Sequence, residues 1–399
     1  MFMSTVFANH GYDGSIMLTA SHLPFNRNGL KFFIRDGGLG KEDIKEILTI
    51  ATEIGETEAA ELANTTVVSL MDDYSNHLVK IIREGAGGET PLEGLKIVVD
   101  AGNGAGGFFV EKVLNPLGAD TSGSQFLEPD GSFPNHIPNP EDPAAMDAII
   151  SAVTDNNADF GIIFDTDVNR AGAVDKNGKP VNRNRFIALM ATIVLGEHPG
   201  TTIVTDSVTS TGLKWWIEEK LGGVHHRFQR GYKNVINEAI RLNETGTPSF
   251  LALETSGHGA LKENYFLDDG AYQIAKILIK IAQLKAAGEG TVDELIAELP
   301  EPAEAIEFRP QIMVDDFSAY ADQVLEGFAA FVEGQDGWSL TPNNFEGVHV
   351  STADGWILVR RSLHDPQIPI NIESDVANGV APLKEKVVEF LSRFDGLTL

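Results

Sequence analysis

Residues 19–31 form the first of four polar segments whose side chains could do chemistry, TASHLPFNRNGLK. Ser21 is a candidate nucleophile, His22 is a candidate base beside it, and Lys31 is a cation close enough in sequence to join the same pocket. The structural alternative is that a Ser-His pair at a strand end only caps a helix. The other three segments favour a chemical role for Ser21, because they could supply a metal site, groups that bind hydroxyls and groups that bind phosphate.

The second segment, DTDVNR at 165–170, follows the apolar run FGIIF. Asp165, Asp167 and Asn169 present three hard oxygen donors at a spacing of two, as a loop that wraps a divalent cation requires. Oxygen ligands favour Mg²⁺ over softer metals. Asp and Asn are also common in turns for local hydrogen-bonding reasons, so a metal site and an ordinary turn both remain open.

The third segment, LETSGH at 253–258, offers Glu254, Ser256 and His258, whose polar atoms could hydrogen-bond the hydroxyls of a sugar. The alternative is an ordinary glycine turn with polar side chains.

The fourth segment, VRRSLHDP at 359–366, combines two guanidinium groups with Ser362 and His364 before a proline. Arg360 is suited to phosphate because arginine binds that group bidentately, and backbone N–H groups of a tight turn can add donors. The alternative is a surface hairpin.

Two other chemistries are suggested by shorter patterns. AGNGAGG has the glycine spacing of a dinucleotide-binding turn, but an NAD enzyme would leave the Ser-His turn, the metal-like loop and the Arg-Ser-His segment without a role. The order Asp165-Thr166-Asp167-Val168 resembles the aspartyl nucleophile of haloacid-dehalogenase-type phosphatases. Those enzymes carry it on the first strand of their core, whereas a whole predicted domain precedes it here.

Apolar runs rich in Val, Ile and Phe precede these segments and predict buried parallel strands, at 15–22, 95–104, 160–167, 202–210 and 250–258. Helical spacing between them predicts helices at 44–54, 185–195, 213–221 and 272–284. Strands that alternate with helices indicate α/β domains, in which ligands collect beyond the carboxyl ends of the strands. The first three polar segments lie at such ends.

Candidate linkers at 85–94, 197–200 and 298–308 divide the chain into four predicted domains, at 1–88, 89–197, 198–304 and 305–399. After Pro310 the pattern changes to a helix at 320–332, short alternating strands near 348–350, 356–359 and 368–372, and a helix at 381–394. This order predicts a small C-terminal α+β domain.

The net charge of −28 repels nucleic acid and anionic lipid, so neither is an expected partner. An anionic ligand would need local positive charge, and the candidates for it are His225, His226, Arg227, Arg230, Lys233, Arg360 and Arg361. The sequence has no cysteine and no run of about 20 apolar residues, which favours a cytoplasmic protein without a membrane span. The oligomeric state is not predicted.

Taken in order, the four segments resemble those of the α-D-phosphohexomutases, the phosphoglucomutase and phosphomannomutase superfamily, over essentially the whole chain. The resemblance implies three related α/β/α units with mixed, largely parallel sheets, followed by the α+β domain. It implies interconversion of hexose 1-phosphate and hexose 6-phosphate, glucose or mannose, through a phosphoserine. The cofactors implied are Mg²⁺ and glucose 1,6-bisphosphate or its mannose analogue, and the partner is a small sugar phosphate.

The resemblance also implies roles for individual residues. Ser21 would carry the phosphoryl group, with His22 and Lys31 assisting proton transfer and Arg170 steadying the phosphoserine. Phosphorylated Ser21, Asp165, Asp167 and Asn169 would ligate Mg²⁺. Sugar and distal phosphate would be bound by Lys233, Glu254, Ser256, His258, Arg360, Ser362 and His364.

Several strings match one branch of that superfamily found in plants and bacteria, among them TASHLPFNRNG and SLHDP. The metal loop departs from the family pattern at Asn169, where a third Asp is usual. Ser21 lies almost at the start of the chain, so we expect the first domain to be incomplete, to expose apolar surface and to be the least stable part. A catalytically impaired binding homologue is therefore an alternative to the mutase.

Overall fold

The structure, a computed structural model, describes residues 12–34, 37–57, 65–362 and 365–398. The chain divides into two compact units, 1–180 with 269–289 and 181–268 with 290–399, and each is described by itself. The four domain boundaries of the sequence analysis stay predictions. None of the helices in the described ranges is both long and apolar enough to cross a membrane.

The first sheet of the first unit has three antiparallel strands, β1 (Gly14–Leu18), β2 (Leu30–Ile34) and β3 (Gly37–Gly38). The prediction of a buried parallel strand at 15–22 is therefore wrong. The loop at 19–29 returns the chain directly beside β1, so that β2 must run in the opposite direction. Alternate residues of β1 are exposed, and Leu18 is 80% exposed.

Two helices follow this sheet, α1 (Lys41–Ile54) and α2 (Met71–Ala86). No residue of α1 is buried. Helix α2 buries Leu78, Val79 and Ile82, which share one face because of their spacing of three and four. It ends before Gly87, whose φ of 77° suits glycine.

The second sheet of this unit contains β4 (Ile97–Asp100) and β5 (Phe160–Phe164), which are parallel, and β6 (Ala171–Asp175), which is antiparallel to β5. All their residues are buried. The short strand β7 (Pro180–Val181) lies at the edge of this sheet, beside β6. Helix α3 (Pro143–Asn156) covers the sheet, and Asp142 caps it by accepting hydrogen bonds from two backbone N–H groups.

The first sheet of the second unit has the order β11-β10-β8-β9, with β8 (Thr202–Thr205), β9 (Val224–Arg227) and β10 (Ser249–Leu253) parallel and β11 (Gly259–Leu261) antiparallel. Its unit also holds α4 (Arg183–Glu197), α5 (Thr211–Trp215) and α6 (Tyr232–Glu244). The predicted helix at 213–221 is α5 continued by a wider helical turn at Trp216–Lys220. Helix α7 (Gly270–Ala287) belongs to the first unit and packs on α2, where Gly85 meets Ile279.

The C-terminal part of the second unit is an antiparallel sheet of order β12-β17-β16-β15-β14. Its strands are β12 (Glu304–Phe308), β14 (Ser339–Leu340), β15 (Val348–Thr352), β16 (Gly355–Val359) and β17 (Ile370–Ser374), beside a separate pair, β13 (Gln311–Ile312) and β18 (Leu397–Thr398). Helices α8 (Phe317–Glu333) and α9 (Val380–Leu391) pack on one face. Strand β16 is buried throughout and does not alternate as predicted, because Trp356 and Leu358 pack against Val208 on the other face.

The fold class predicted from the sequence is confirmed: α/β units with mixed sheets are followed by an α+β domain.

Candidate active site

The serine loop between β1 and β2 holds Ser21 in an unusual backbone conformation, with a φ of 53°. Left-handed backbone at a residue other than glycine costs on the order of 1–3 kcal/mol and is typical of functional sites. Thr19 helps to hold the turn, because its Oγ1 accepts a hydrogen bond from the Ser21 N–H at 2.9 Å. Its own N–H donates to the Gly29 carbonyl at 3.1 Å.

Arg170 brings its guanidinium to this serine. Nη2 of Arg170 donates to Oγ of Ser21 at 3.4 Å and to Nδ1 of His22 at 2.8 Å. Oγ of Ser21 also lies 3.2 Å from Nδ1 of His22. Since Nδ1 accepts a hydrogen bond from an arginine, which cannot accept one, it carries a lone pair. A base and a cation therefore both reach the serine hydroxyl.

The position of Arg170 is fixed on its other sides by two residues. Nε of Arg170 donates to Oδ2 of Asp165 at 2.9 Å, and its backbone N–H donates to Oδ1 of the same carboxylate at 3.1 Å. Nη1 donates to Oδ1 of Asn139 at 3.0 Å. Arg170 is 3% exposed, so these contacts replace hydration that burial removes.

Asp165 is the most deeply buried of the three predicted metal ligands. Burial and the neighbouring charge of Asp167 raise the pKa of Asp165 to about 6, although the contacts with Arg170 act in the opposite direction. Both of its oxygens accept hydrogen bonds from Arg170. A cation bound beside the loop would favour the ionised form of the Asp165 carboxylate, as Arg170 does.

The remaining oxygens of the loop fit a divalent cation. Oδ1 of Asp167 and Oδ1 of Asn169 are both buried without a hydrogen-bond partner in the described part of the chain. Oδ2 of Asp167 accepts from Thr19 Oγ1 at 2.9 Å and lies 3.8 Å from Nζ of Lys31. Two buried, unpartnered oxygens beside a carboxylate of raised pKa are a donor set that suits Mg²⁺.

The glycines of AGNGAGG have a structural role beside this loop. The Ala105 N–H donates to the Thr166 carbonyl at 2.8 Å, and a Cβ at Gly104 would lie 2.7 Å from that oxygen. Gly102 has a φ of 53°, and a Cβ there would lie 2.8 Å from Pro138. Close backbone approach to the metal loop therefore accounts for Gly104, and a positive φ with close approach to Pro138 accounts for Gly102, so two of the glycines that suggested a dinucleotide site have a structural role.

A buried ion pair holds the loop that carries Asn139. Nε2 of His136 contacts both oxygens of Asp100, at 3.0 and 3.1 Å, and its Nδ1 contacts the Ile137 carbonyl at 3.0 Å. Burial alone would lower the pKa of His136, but the hydrogen bond and charge of Asp100 outweigh it, and the pKa is raised. Both ring nitrogens face acceptors, which the charged imidazolium satisfies.

In the second unit, Glu254 follows β10 directly and is 4% exposed. Its Oε1 accepts a hydrogen bond from the Gly231 N–H at 2.6 Å. Burial and the nearby charge of Asp206, which follows β8, raise the pKa of Glu254 to about 7. Burial also raises the pKa of Asp206.

His258 and Ser256 complete this segment. Nδ1 of His258 lies 2.8 Å from Oδ2 of Asp268, and its ring stacks on Tyr232 with centroids 5.0 Å apart. Oγ of Ser256 is buried with no partner among the described residues. Lys233 is half-buried in the first turn of α6, next to Tyr232. Polar atoms suited to hydroxyl groups therefore cluster at the end of β10.

Arg360 follows β16 and is 7% exposed. Its Nη1 lies 4.0 Å from Oε1 of Glu346, and its Nε is buried with no partner in the described ranges. Glu346 also accepts from the Arg230 N–H at 3.1 Å, which joins this segment to the Gly231 turn beside Glu254. A buried guanidinium with a free donor is suited to phosphate.

Ser362 lies in the same segment, where its Oγ accepts from the Asp365 N–H at 3.2 Å. His364 lies outside the described residues.

Comparisons with known proteins show the family of this chain. Family models for the three α/β/α domains of phosphoglucomutase/phosphomannomutase match residues 2–58 (domain I), 72–178 (domain II) and 182–303 (domain III). The phosphoglucomutase of Neisseria meningitidis serogroup A is 31% identical over 93% of this chain, which covers 76% of that protein. The chain belongs to the phosphoglucomutase/phosphomannomutase family, the α-D-phosphohexomutases.

Two further phosphohexomutases extend the comparison. The phosphomannomutase/phosphoglucomutase of Pseudomonas putida is 32% identical over 90% of this chain, which covers 72% of that protein. The crystal structure of a phosphoglucomutase/phosphomannomutase family protein from Burkholderia thailandensis matches this chain with a TM-score of 0.77 and 27% sequence identity. The match covers 96% of this chain and 76% of the Burkholderia chain. The family and the mutase function that the sequence predicted are thus confirmed, and the family generally uses Mg²⁺.

A second metal-capable group lies elsewhere in this phosphohexomutase. Ligand atoms of Glu197, His198 and Glu263 lie within 4.8 Å of one another in the second unit. Both glutamates are exposed, and exposed acidic groups of this kind are common without an ion. This group is separate from the predicted metal loop.

Three residues that lie beside candidate site residues were not predicted from the sequence. They are Asn139, which contacts Arg170, Asp206, which lies near Glu254, and Glu346, which lies near Arg360. Asp206 could have been predicted from the sequence, because it directly follows an apolar strand, as Asp165 does. Asn139 and Glu346 lie in irregular segments whose partners are more than ten residues away in sequence, which no local pattern reveals.

Proposed function

We propose that this phosphohexomutase interconverts a hexose 1-phosphate and a hexose 6-phosphate, with Ser21 as the residue that carries the phosphoryl group. The observation that supports this most is the hydroxyl of Ser21, held in strained backbone within 3.2 Å of His22 and 3.4 Å of Arg170. Related phosphohexomutases are named for glucose and mannose phosphates, which makes those the first substrates to test.

The first chemical step transfers the phosphoryl group from Ser21 to a free hydroxyl of the sugar phosphate. The bond between phosphorus and the Ser21 oxygen breaks and a bond to the sugar oxygen forms, while the proton of the sugar hydroxyl is transferred, with the help of His22 and Lys31, to the Ser21 oxygen. The product is a sugar bisphosphate. After this intermediate reverses its orientation, the Ser21 oxygen attacks the other phosphorus, the bond from that phosphorus to its sugar oxygen breaks, and the serine proton passes through Nδ1 of His22 to that sugar oxygen.

Charge is the main obstacle to this transfer, since the phosphoserine and the substrate are both anionic. Arg170 and Lys31 offset part of this charge from within the serine site. Asp165, Asp167 and Asn169 would hold Mg²⁺, which when bound supplies electrostatic stabilisation of the transferring group. Glu254, Ser256 and His258 would bind sugar hydroxyls, with Lys233 beside them, and Arg360, Ser362 and His364 the phosphate that is not transferred.

The alternative of an aspartyl phosphatase is less well supported. A nucleophilic Asp165 would need an accessible oxygen, and both of its oxygens accept hydrogen bonds from Arg170 in a buried position. A cytoplasmic location and the bisphosphate activator stay predictions.

Conversion of glucose 1-phosphate with a catalytic amount of glucose 1,6-bisphosphate tests the proposal. We expect Ser21→Ala to abolish turnover while the protein stays folded. Ser151→Ala, an exposed serine on α3, is the matched control and should keep full activity. Undiminished turnover in Ser21→Ala would refute the assignment.

A further inference from the structure

A cavity of about 460 Å³ lies in the second unit, between the edge strand β9 and the segment that follows β14. Its volume is within the range of small-molecule sites. Its walls include Lys214, His225, Arg227, Phe228, Phe345 and His349. None of the residues that the proposed function assigns to the substrate lines it.

Arg227 supplies a cation without a direct ion pair among the described residues. Its Nε donates to Oγ1 of Thr209 at 3.0 Å, and its Nη2 donates to the Ser210 carbonyl at 2.8 Å. Burial lowers the pKa of Arg227, and the charges of Glu373, Glu218 and Asp206 act in the opposite direction without contacting the guanidinium. An anion in the cavity would add the direct contact that these carboxylates do not make.

Two imidazoles in the cavity wall each have a nitrogen without a partner. Nε2 of His225 contacts Oγ1 of Thr205 at 2.8 Å, and Nδ1 of His349 contacts Oγ1 of Thr341 at 2.8 Å. The other nitrogen of each ring is buried and has no hydrogen-bond partner in the described part of the chain. Unsatisfied buried polar atoms are rare in native proteins and often mark a ligand or ordered solvent.

Both rings are neutral near pH 7. Burial and the charge of Arg227 lower the pKa of His349 to about 3 and that of His225 well below its usual value. A neutral imidazole has one donor and one acceptor nitrogen, so these rings are suited to hydroxyl groups rather than to a second negative charge.

Aromatic rings form another part of the wall. The centroids of Phe228 and Phe345 are 5.1 Å apart, and His226 lies 5.1 Å from Phe345. Lys214 adds a second cation, and Glu218, which is 3.9 Å from Lys214, adds one negative charge. The wall therefore combines an apolar surface, neutral polar atoms and a small excess of positive charge.

We propose that this cavity binds a small anionic polyhydroxy compound, a sugar that carries one phosphate or carboxylate group, at a site separate from the substrate. The anionic group would lie against Arg227, its hydroxyls would contact His225 and His349, and its carbon skeleton would lie against the two phenylalanines. This inference does not depend on the proposed catalytic role of Ser21.

The test is isothermal titration calorimetry with 6-phosphogluconate as the probe and inorganic phosphate as the comparison. We expect Arg227→Met to weaken binding of the probe at least tenfold, because the anionic group loses a charge-assisted hydrogen bond. Unchanged affinity in a folded Arg227→Met protein would overturn the proposal. Inorganic phosphate should bind at least tenfold more weakly than the probe, and equal affinities would overturn the polyhydroxy assignment.

Further variants guard against misfolding and locate the site. Lys214→Met changes a 56% exposed side chain and should weaken binding about threefold without unfolding the protein, whereas Lys220→Met, outside the cavity, should have no effect. In Arg360→Ala the probe should still bind. If Arg360→Ala loses binding of the probe while Lys214→Met and Arg227→Met keep it, the probe binds at the Arg360 segment and the cavity proposal is wrong. The Ser21→Ala assay tests the proposed function independently of this result.

Discussion

At the scale of single residues, Arg170 organises the serine site. One guanidinium contacts the candidate nucleophile, the candidate base, a metal-loop carboxylate and Asn139. Such a cation offsets the charge of a phosphoserine without having to move, since its contacts with Asp165 and Asn139 already fix it. Asn169, in contrast, contributes a neutral oxygen where a carboxylate would attract Mg²⁺ more strongly.

Asn169→Asp should tighten Mg²⁺ binding by about tenfold, because a charge–charge term of a few kcal/mol at an effective dielectric near 20 exceeds the added cost of desolvation. Calorimetric titration of Mg²⁺ without substrate measures this directly. Asn177→Asp, the same change at an exposed turn, is the control and should have no effect. Equal affinities of the native protein and Asn169→Asp would contradict the assignment of the loop.

Glu254 is held at a cost to stability. Its pKa is raised from 4.5 to about 7, so the folded state favours the neutral acid. The penalty is absent below about pH 4.5, grows as the pH rises toward 7 and is complete above it. Glu254→Gln keeps the shape and removes the charge, and it should therefore stabilise the protein at pH 8.5 by about 2–3 kcal/mol.

Thermal unfolding at pH 5 and pH 8.5 measures this effect. The variant should unfold at a higher temperature than the native protein at pH 8.5, with little difference at pH 5. A pH-independent difference would show that the charge of Glu254 is not the cause.

At the scale of elements, the loop before α3 positions Arg170 through Asn139, and the buried pair of Asp100 and His136 holds that loop. Asn139→Ala removes the acceptor and should lower kcat about tenfold with little change in KM, because Arg170 acts on the transferring group. Asn139→Asp keeps the acceptor and should retain most of the activity.

Steady-state kinetics of Asn135→Ala provide the control, because this exposed residue of the same loop contacts Asn103 and not Arg170. If Asn139→Ala behaves like Asn135→Ala, the loop is not a positioning element.

The strands and helices show which parts of the fold the sequence could predict. The segments after β5 and β10 were predicted because buried strands are continuous apolar runs that end abruptly at polar residues. The direction of β1 was not, since a run of five residues does not reveal whether its partner is parallel or antiparallel. The pairing of Asp100 with His136, 36 residues apart, depends on a loop without any periodic pattern.

At the scale of the whole molecule, some helices bury their apolar side chains and others leave them exposed to solvent. Helix α1 buries none of its residues, and Leu48 and Ile54 are 61% and 64% exposed, whereas α2 buries Leu78 and Ile82 completely. Burial of apolar area contributes about 25 cal/mol per Å², so α1 lacks a stabilising term that α2 has.

Amide hydrogen exchange measured by mass spectrometry should therefore show α1 exchanging at least tenfold faster than α2. Peptides from both helices of the same sample provide the internal control. Protection of α1 equal to that of α2 would mean that its apolar face is covered in solution.

If Ser21 carries the phosphoryl group, the phosphate must be found on that residue of the working enzyme. After incubation with glucose 1,6-bisphosphate, tandem mass spectrometry should place one stable phosphate on Ser21, and hydroxylamine should release none from Asp165. Phosphate on Asp165, or turnover by a protein whose Ser21 is never modified, would show that Ser21 is not the phosphoryl carrier.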